Sequence, residues 1–266
     1  MHQTMHEGIA DYLEMMRLAG ISELRKHTAA TVLHEHNPPK ETLKRQDVGP
    51  RPPEISCEDT KPEKLMPPAP IPSPGIVLSG KAGELQRLAS EVAQCTLCKD
   101  LASSRTQTVF GTGNPDSPLV FIGEAPGMDE DKQGKPFVGR SGQLLTDIIE
   151  KGMQMRREDV YICNILRCRP PGNRNPLPDE AALCRPFLNQ TLDIINPKYI
   201  CCLGTIAAKN LLASEKTIGA LRGQVWDYNG IKVVCTYHPA YLLRNPAAKK
   251  DTWNDIRLLL REMEQG

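Results

Sequence analysis

PLVFIGEAPG, residues 118–127, decides the fold. Leu119 to Ile122 form an unbroken apolar run between Pro118 and Gly123. A run this short, without alternation, reads as a strand buried on both faces. Three other segments read the same way: DVYICNI (159–165), KYICCLG (198–204) and IKVVCTY (231–237). Helical patterns separate them. SGQLLTDIIEKG (141–152) is amphipathic with Gly152 as its stop, and TIAAKNLLA follows the third strand. PDEAALCRPFLNQTLDII (178–195) carries Asp179 and Glu180 in its first turn, where the helix dipole favours acids. GELQRLASEVAQ precedes the first strand, and AAKKDTWNDIRLLLREME closes the chain. Repeated strand–helix alternation predicts an α/β fold: a three-layer sandwich with a four-stranded parallel sheet and helices on both faces.

Three regions follow from composition. Residues 1–27 place Met5, Ile9, Tyr12, Leu13, Met16 and Ile21 near helical spacing and form an N-terminal helical segment. Residues 28–80 hold NPPK, GPRPPE and PPAPIPSPG and read as a disordered linker, because such a segment cannot bury a core. The domain proper spans 81–266. Net charge is +1 over 266 residues, with −2 on residues 1–80 and +3 on the rest. That balance favours no bulk polyanion binding, so any contact with nucleic acid must rest on local charge. Arg167, Arg169, Arg174 and Arg185 supply one such locale.

Polar residues gather where the strands end. Gly123-Glu124, Asn164, Gly204 and His238 each follow a predicted strand, and in open α/β sheets ligands bind at that edge. GEAPG (123–127) permits close backbone approach but is not a dinucleotide fingerprint. KPFVGRSGQLL (135–145) places Phe137 in a polar, Gly-rich loop, as a core anchor or a platform for a flat base. HPAYLLR (238–244) reads as a loop whose apolar residues beside an arginine have the composition of a wedge into a base stack.

Nine cysteines, with no basic-then-apolar leader and no run near the roughly 20 apolar residues of a membrane span, indicate a reduced, cytoplasmic setting rather than disulfides. Cys95 and Cys98 form a C-x2-C turn; Cys168 and Cys184 follow far downstream. Four thiolates satisfy one zinc or one [4Fe–4S] cluster. Cys163, Cys201, Cys202 and Cys235 fall inside strands and read as core.

Taken in order, these motifs resemble the family 4, iron–sulfur uracil-DNA glycosylases over about residues 83–262. The likeness rests on C-x2-C (95–98), GEAPG (123–127), EDKQGKPFVGRSGQLL (130–145), NILRCRPPGNRNP (164–176), Cys184, LGTIAA (203–208), RG (222–223) and TYHPAYLLR (236–244). It implies a [4Fe–4S] cluster on Cys95, Cys98, Cys168 and Cys184, structural rather than catalytic. It implies that Phe137 stacks on a flipped uracil beside Gly123 and Ala125, and that Asn164 reads the base edge. Glu130 would crowd the C5 position and exclude thymine. Glu124 would serve the water or the ribosyl cation, and His238 would donate to uracil O2. Arg169, Arg174, Leu242, Leu243 and Arg244 would meet the DNA, single- or double-stranded. The related branch that traps uracil carries a histidine near the third cysteine; RCRPPGNRNP has none, which implies turnover to an abasic site. The resemblance also suggests a monomer, and the N-terminal helix could meet a protein partner. Three readings compete: a non-catalytic Fe–S binding module, a glycosylase that also takes hypoxanthine, and a zinc-ribbon-like protein.

Overall fold

The computed structural model describes residues 79–266. The expected N-terminal helix, and all but the last two residues of the expected linker, lie outside the described residues. The described chain begins with α1 (Gly80–Ala93) and α2 (Lys99–Ser104), which bracket the C-x2-C turn. Then come β1 (Thr112–Gly113), β2 (Leu119–Gly123), α3 (Met128–Gln133), α4 (Arg140–Asp147) and β3 (Tyr161–Asn164). α5 (Pro178–Ile195), β4 (Tyr199–Leu203), α6 (Thr205–Leu212) and α7 (Ile218–Leu221) follow. The chain ends with β5 (Val225–Tyr228), β6 (Ile231–Thr236), α8 (Pro239–Arg244) and α9 (Lys249–Gln265).

The sheet order is β1-β3-β2-β4-β6-β5. The inner four strands are the four expected ones, and all are parallel. Two antiparallel edges extend them to six: β1 on β3 and β5 on β6. The β5–β6 turn is Asn229-Gly230 with φ of 52° and 82°, the left-handed pair that a tight hairpin needs.

Alternation along the inner strands feeds two cores. Val120, Ile122, Cys163, Ile200 and Cys202 face α1, α5 and α6, packing on Leu85, Leu188 and Ala207. Leu119, Phe121, Ile162, Cys201 and Val234 face α4 and α9, packing on Leu145, Ile256 and Leu259. Each fully buried aliphatic side chain contributes about 1.5–3 kcal/mol of transfer free energy, which explains why strands this short hold. The expected three layers are therefore present, and the four strand cysteines are core thiols at 0% exposure. No helix among the described residues is long and apolar enough to cross a membrane.

β3 and β4 flank β2 on opposite sides, so the loops leaving β2 and β4 part company and open a crevice at the carboxyl edge. Two local expectations change. The helix at 141–152 is α-helical only to Asp147 and ends in a π-turn, Ile148–Gly152. HPAYLLR is a helix rather than a loop: Pro239 takes the first position, where its missing N–H costs nothing, and His238 caps it.

Candidate active site and cysteine centre

The carboxyl edge of the sheet brings the predicted pocket residues together. Gly123 ends β2 and Asn164 ends β3, paired in register. A Cβ at Gly123 would strike both Asn164 Oδ1 and the Phe137 ring, so only glycine lets the three meet. Asn164 is 2% exposed, and its Oδ1 has no hydrogen-bond partner among the described residues. A buried amide oxygen left unpaired is costly, which makes it a candidate for a ligand's N–H. Phe137 is 5% exposed, with its ring centroid 5.6 Å from that of His238. Phe137 packs in the core beneath α4, as the anchor reading expected, with its ring beside Gly123 and His238.

His238 follows β6 and caps α8. Its Nδ1 accepts the Ala240 N–H at 3.1 Å. Burial, then Arg244, push its pKa down to about 4, against a smaller opposing pull from Glu130. The ring is thus neutral near pH 7, and because Nδ1 is an acceptor the proton sits on Nε2. Gly204, at φ 89°, makes room for it: a Cβ there would come 2.9 Å from His238 Cβ. Protonating this ring works against burial, so His238 stays neutral as pH falls through its ordinary range and charges only near pH 4. A ¹⁵N NMR titration is expected to show an Nε2–H tautomer still dominant at about pH 5.5. A midpoint near the unperturbed value would mean a solvated ring and would sink this assignment.

Glu124 and Glu130 differ in kind. Glu124 continues β2 into the crevice, its backbone carbonyl accepting Leu166 N–H at 3.1 Å, and burial raises its carboxyl pKa. Glu130 is buried, and its carboxylate accepts three backbone N–H groups: Gly127 (3.1 Å), Val138 (2.9 Å) and Gly139 (3.2 Å). It binds the start of α3 to the loop carrying Phe137. The next residue, Asp131, takes Thr106 N–H with both oxygens, at 2.9 and 3.1 Å. One turn of α3 therefore touches the loop of Phe137 and the segment beside the cysteines.

Cys95, Cys98, Cys168 and Cys184 line one apolar cavity with Leu97, Leu101 and Leu183. Burial, then the Cys184 and Cys168 thiols, Glu180 and Cys95, push Cys98 up to about 11. Arg105 Nη1 reaches Cys168 Sγ at 3.0 Å while its Nη2 donates to Cys95 O at 2.8 Å, tying the two halves of the set. Among the described residues no three Cys, His, Asp or Glu close around a point as ligands of a single ion do. Ala125 packs against Leu101, Leu166 and Cys168, so the wall of the cysteine cavity is also the back of the GEAPG loop.

The expected basic locale is dispersed by its own hydrogen bonds. Arg167 is fully buried, bonded to Phe110 O and to Thr191 Oγ1 at 2.9 Å. Arg174 makes a two-point pair with Glu180 at 2.8 and 2.5 Å. Glu180 therefore serves that pair and the Leu177 N–H cap rather than the dipole alone. Arg185 is consumed by carbonyls of α6 and by Tyr228. Arg169 is held by Asn173 Oδ1 at 2.7 Å near the surface. In the expected wedge, Leu242 is 1% exposed and anchors α8, leaving Leu243 and Arg244 outward.

Sequence reasoning missed Arg105, Asp131, and the Arg222–Asp255 pair beside the end of β6. Arg222 Nε donates to Asp255 at 3.0 Å, Thr236 joins the same carboxylate, and the guanidinium lies over Tyr237. The RG at 222–223 was the only signal for that pair; the partners of Arg105 and Asp131 lie too far along the chain for any local motif.

The family model for the uracil DNA glycosylase superfamily matches residues 110–257. A type-4 uracil-DNA glycosylase of Thermotoga maritima is 46% identical over 187 residues, 69% of this chain and 93% of that protein. One from Archaeoglobus fulgidus is 41% identical, covering 65% and 90%. A type-5 uracil-DNA glycosylase of Pyrobaculum aerophilum is only 27% identical, covering 49% and 64%. The residues gathered at the carboxyl edge of the sheet, the four cysteines lining one cavity and these similarities agree: the chain belongs to the uracil DNA glycosylase superfamily, among its type-4 members.

Proposed function

We infer that the protein is a monofunctional uracil-DNA glycosylase that hydrolyses the N-glycosidic bond of deoxyuridine and leaves an abasic site for base-excision repair. The observation that carries the reading is the unpaired, buried Asn164 oxygen, which meets the Phe137 ring over Gly123, with a neutral His238 on the same ring.

A stacked uracil cannot reach this crevice, so the nucleotide is flipped out at a cost of a few kcal/mol. Phe137 then offers its face to the base, with Gly123 and Ala125 as the backbone floor. The Asn164 Oδ1 accepts a hydrogen bond from N3–H and its Nδ2 donates to O4, two bonds that an apolar site could not discriminate by. Glu130 stands at C5, and because three N–H groups hold it, it cannot swing away for a methyl group. As the C1′–N1 bond breaks, its electron pair moves into uracil and charge gathers at O2. The His238 Nε2–H, fixed by the Ala240 cap, meets that charge; a preorganised donor of this kind lowers a barrier by several kcal/mol. Glu124 faces the sugar cation, and the desolvation that raises its pKa also strengthens its field. Water adds to C1′ and the proton balance closes on uracil. Leu243 and Arg244 brace the opened stack, and Arg169, held near the surface by Asn173, meets the strand, while the Glu180 pair takes Arg174 out of that role.

Cys95, Cys98, Cys168 and Cys184 hold a [4Fe–4S] cluster in this reading. Four cysteines lining one apolar cavity fit the thiolate set that such a cluster takes. When bound, the cluster supplies a cross-link between the α1–α2 turn, the segment after β3 and α5. Arg105 offsets thiolate charge at Cys168.

The direct test is a labelled oligonucleotide with one deoxyuridine and a thymine control, followed by alkaline cleavage. Cleavage at uracil alone is expected. Binding without cleavage would favour a non-catalytic module instead.

A further inference from the structure

We propose that Arg157, outside every motif that marks the site, is the positioning residue that holds Phe137 in its base-stacking pose. Phe137 has a φ of 55°, a left-handed backbone that an aromatic residue adopts only when its surroundings impose it. Its ring is therefore aimed by whatever fixes that backbone.

Three groups do so. Gly142 lets α4 begin directly against the Phe137 carbonyl, where any Cβ would collide. Glu130 accepts the N–H groups of the two following residues. Arg157 closes the remaining side: its Nη2 donates to Pro136 O and to Phe137 O, both at 3.0 Å, and its Nη1 donates to Thr146 Oγ1 at 2.9 Å. One guanidinium thus joins the carbonyls of the strained loop to a side chain of α4. Arg156, its neighbour, points outward to Asp159 and Glu158 and has no such role.

The chemistry demands arginine. Two carbonyls and a hydroxyl are reached by two nitrogens of one planar fork; an ammonium group on a flexible stem is a poor substitute. Burial lowers the Arg157 pKa, the mark of a cation held inside for its hydrogen bonds. Arg157 bonds the backbone of the loop and a side chain of α4, so its effect on a base passes through Phe137.

This inference rests on the stacking role given to Phe137, and its test separates the two. The variants are Arg157→Met, Arg157→Lys, Phe137→Ala and the Phe137→Ala/Arg157→Met double variant, each as the full-length holoprotein. The readouts are inhibition by free uracil, single-turnover uracil release and binding to abasic-site DNA. Arg157→Met is expected to weaken uracil inhibition and slow release on the order of tenfold, with abasic-site binding changed less than about twofold. Arg157→Lys should recover part of the loss. In the Phe137→Ala background, Arg157→Met should add less than about twofold, because its target is gone. Additive losses, or abasic-site binding that falls with uracil affinity, would overturn the proposal. No effect of Phe137→Ala on uracil inhibition would instead overturn the stacking role. If Arg157→Met does not accumulate, Arg157→Lys alone and in the Phe137→Ala background carries the same comparison.

Discussion

His238→Ala is expected to slow single-turnover uracil release by about 10²–10³-fold, the usual loss when one preorganised donor is removed from a developing oxyanion. The same change also strips α8 of its cap, because His238 Nδ1 receives the Ala240 N–H. That loss alone costs about 1 kcal/mol of stability. His238→Asn separates the two effects. Asparagine caps helices well but cannot place a donor where Nε2 stood, so this variant should melt near the wild type and still release uracil slowly. Near-normal release in both variants would remove His238 from the chemistry. Full activity in His238→Asn alone would make it a cap and nothing more.

The second large effect is expected from Cys168→Ala. This thiol lies against Leu101, Leu166 and Ala125, and Arg105 bonds it. Losing it should abolish the broad absorption near ~400 nm that thiolate–iron centres give. The thermal midpoint should fall on the order of 10 °C, as structural metal binding is itself folding free energy. Uracil release should drop with it, since the GEAPG loop leans on the same wall. Cys201→Ala is the control: it trims an ordinary core thiol on β4 and should leave the colour intact. A brown, normally melting Cys168→Ala protein would show that the four cysteines are not a ligand set.

Much of this architecture was legible because the inner strands are short apolar runs closed by Pro, Gly or Asn. The edges were not. β1 is two residues long, below any pattern. β5 is only partly buried and carries Asp227, which hid it although Asn229-Gly230 announced the hairpin. HPAYLLR looked like a loop because Pro and His are loop residues by composition; only their positions, first turn and cap, make them helical. Gly123, Glu124, Asn164 and His238 could be placed together from sequence because each sits at a strand end; Glu130 and Phe137, on α3 and the loop after it, have no such signal. The arginines were not, because a guanidinium near the cysteines in sequence reads as surface charge. In the folded chain Arg167 is interior and Arg174 and Arg185 are spoken for. Long-range partners such as Arg105 and Cys168, 63 residues apart, leave no local trace.

The six residues of α3 carry a consequence for how this scaffold can change. Glu130 and Asp131 are consecutive, and they serve opposite clients: the loop of Phe137 and the strip next to the cysteines. Helix geometry turns about 100° per residue, so one inserted or deleted residue would swing both carboxylates away from both clients at once. There is no slack in which one attachment could be retuned while the other waits. The loop of Phe137 and the cysteine centre are therefore locked into a single inheritance, and grafting either onto another framework would require carrying this turn, with its two neighbours, across intact.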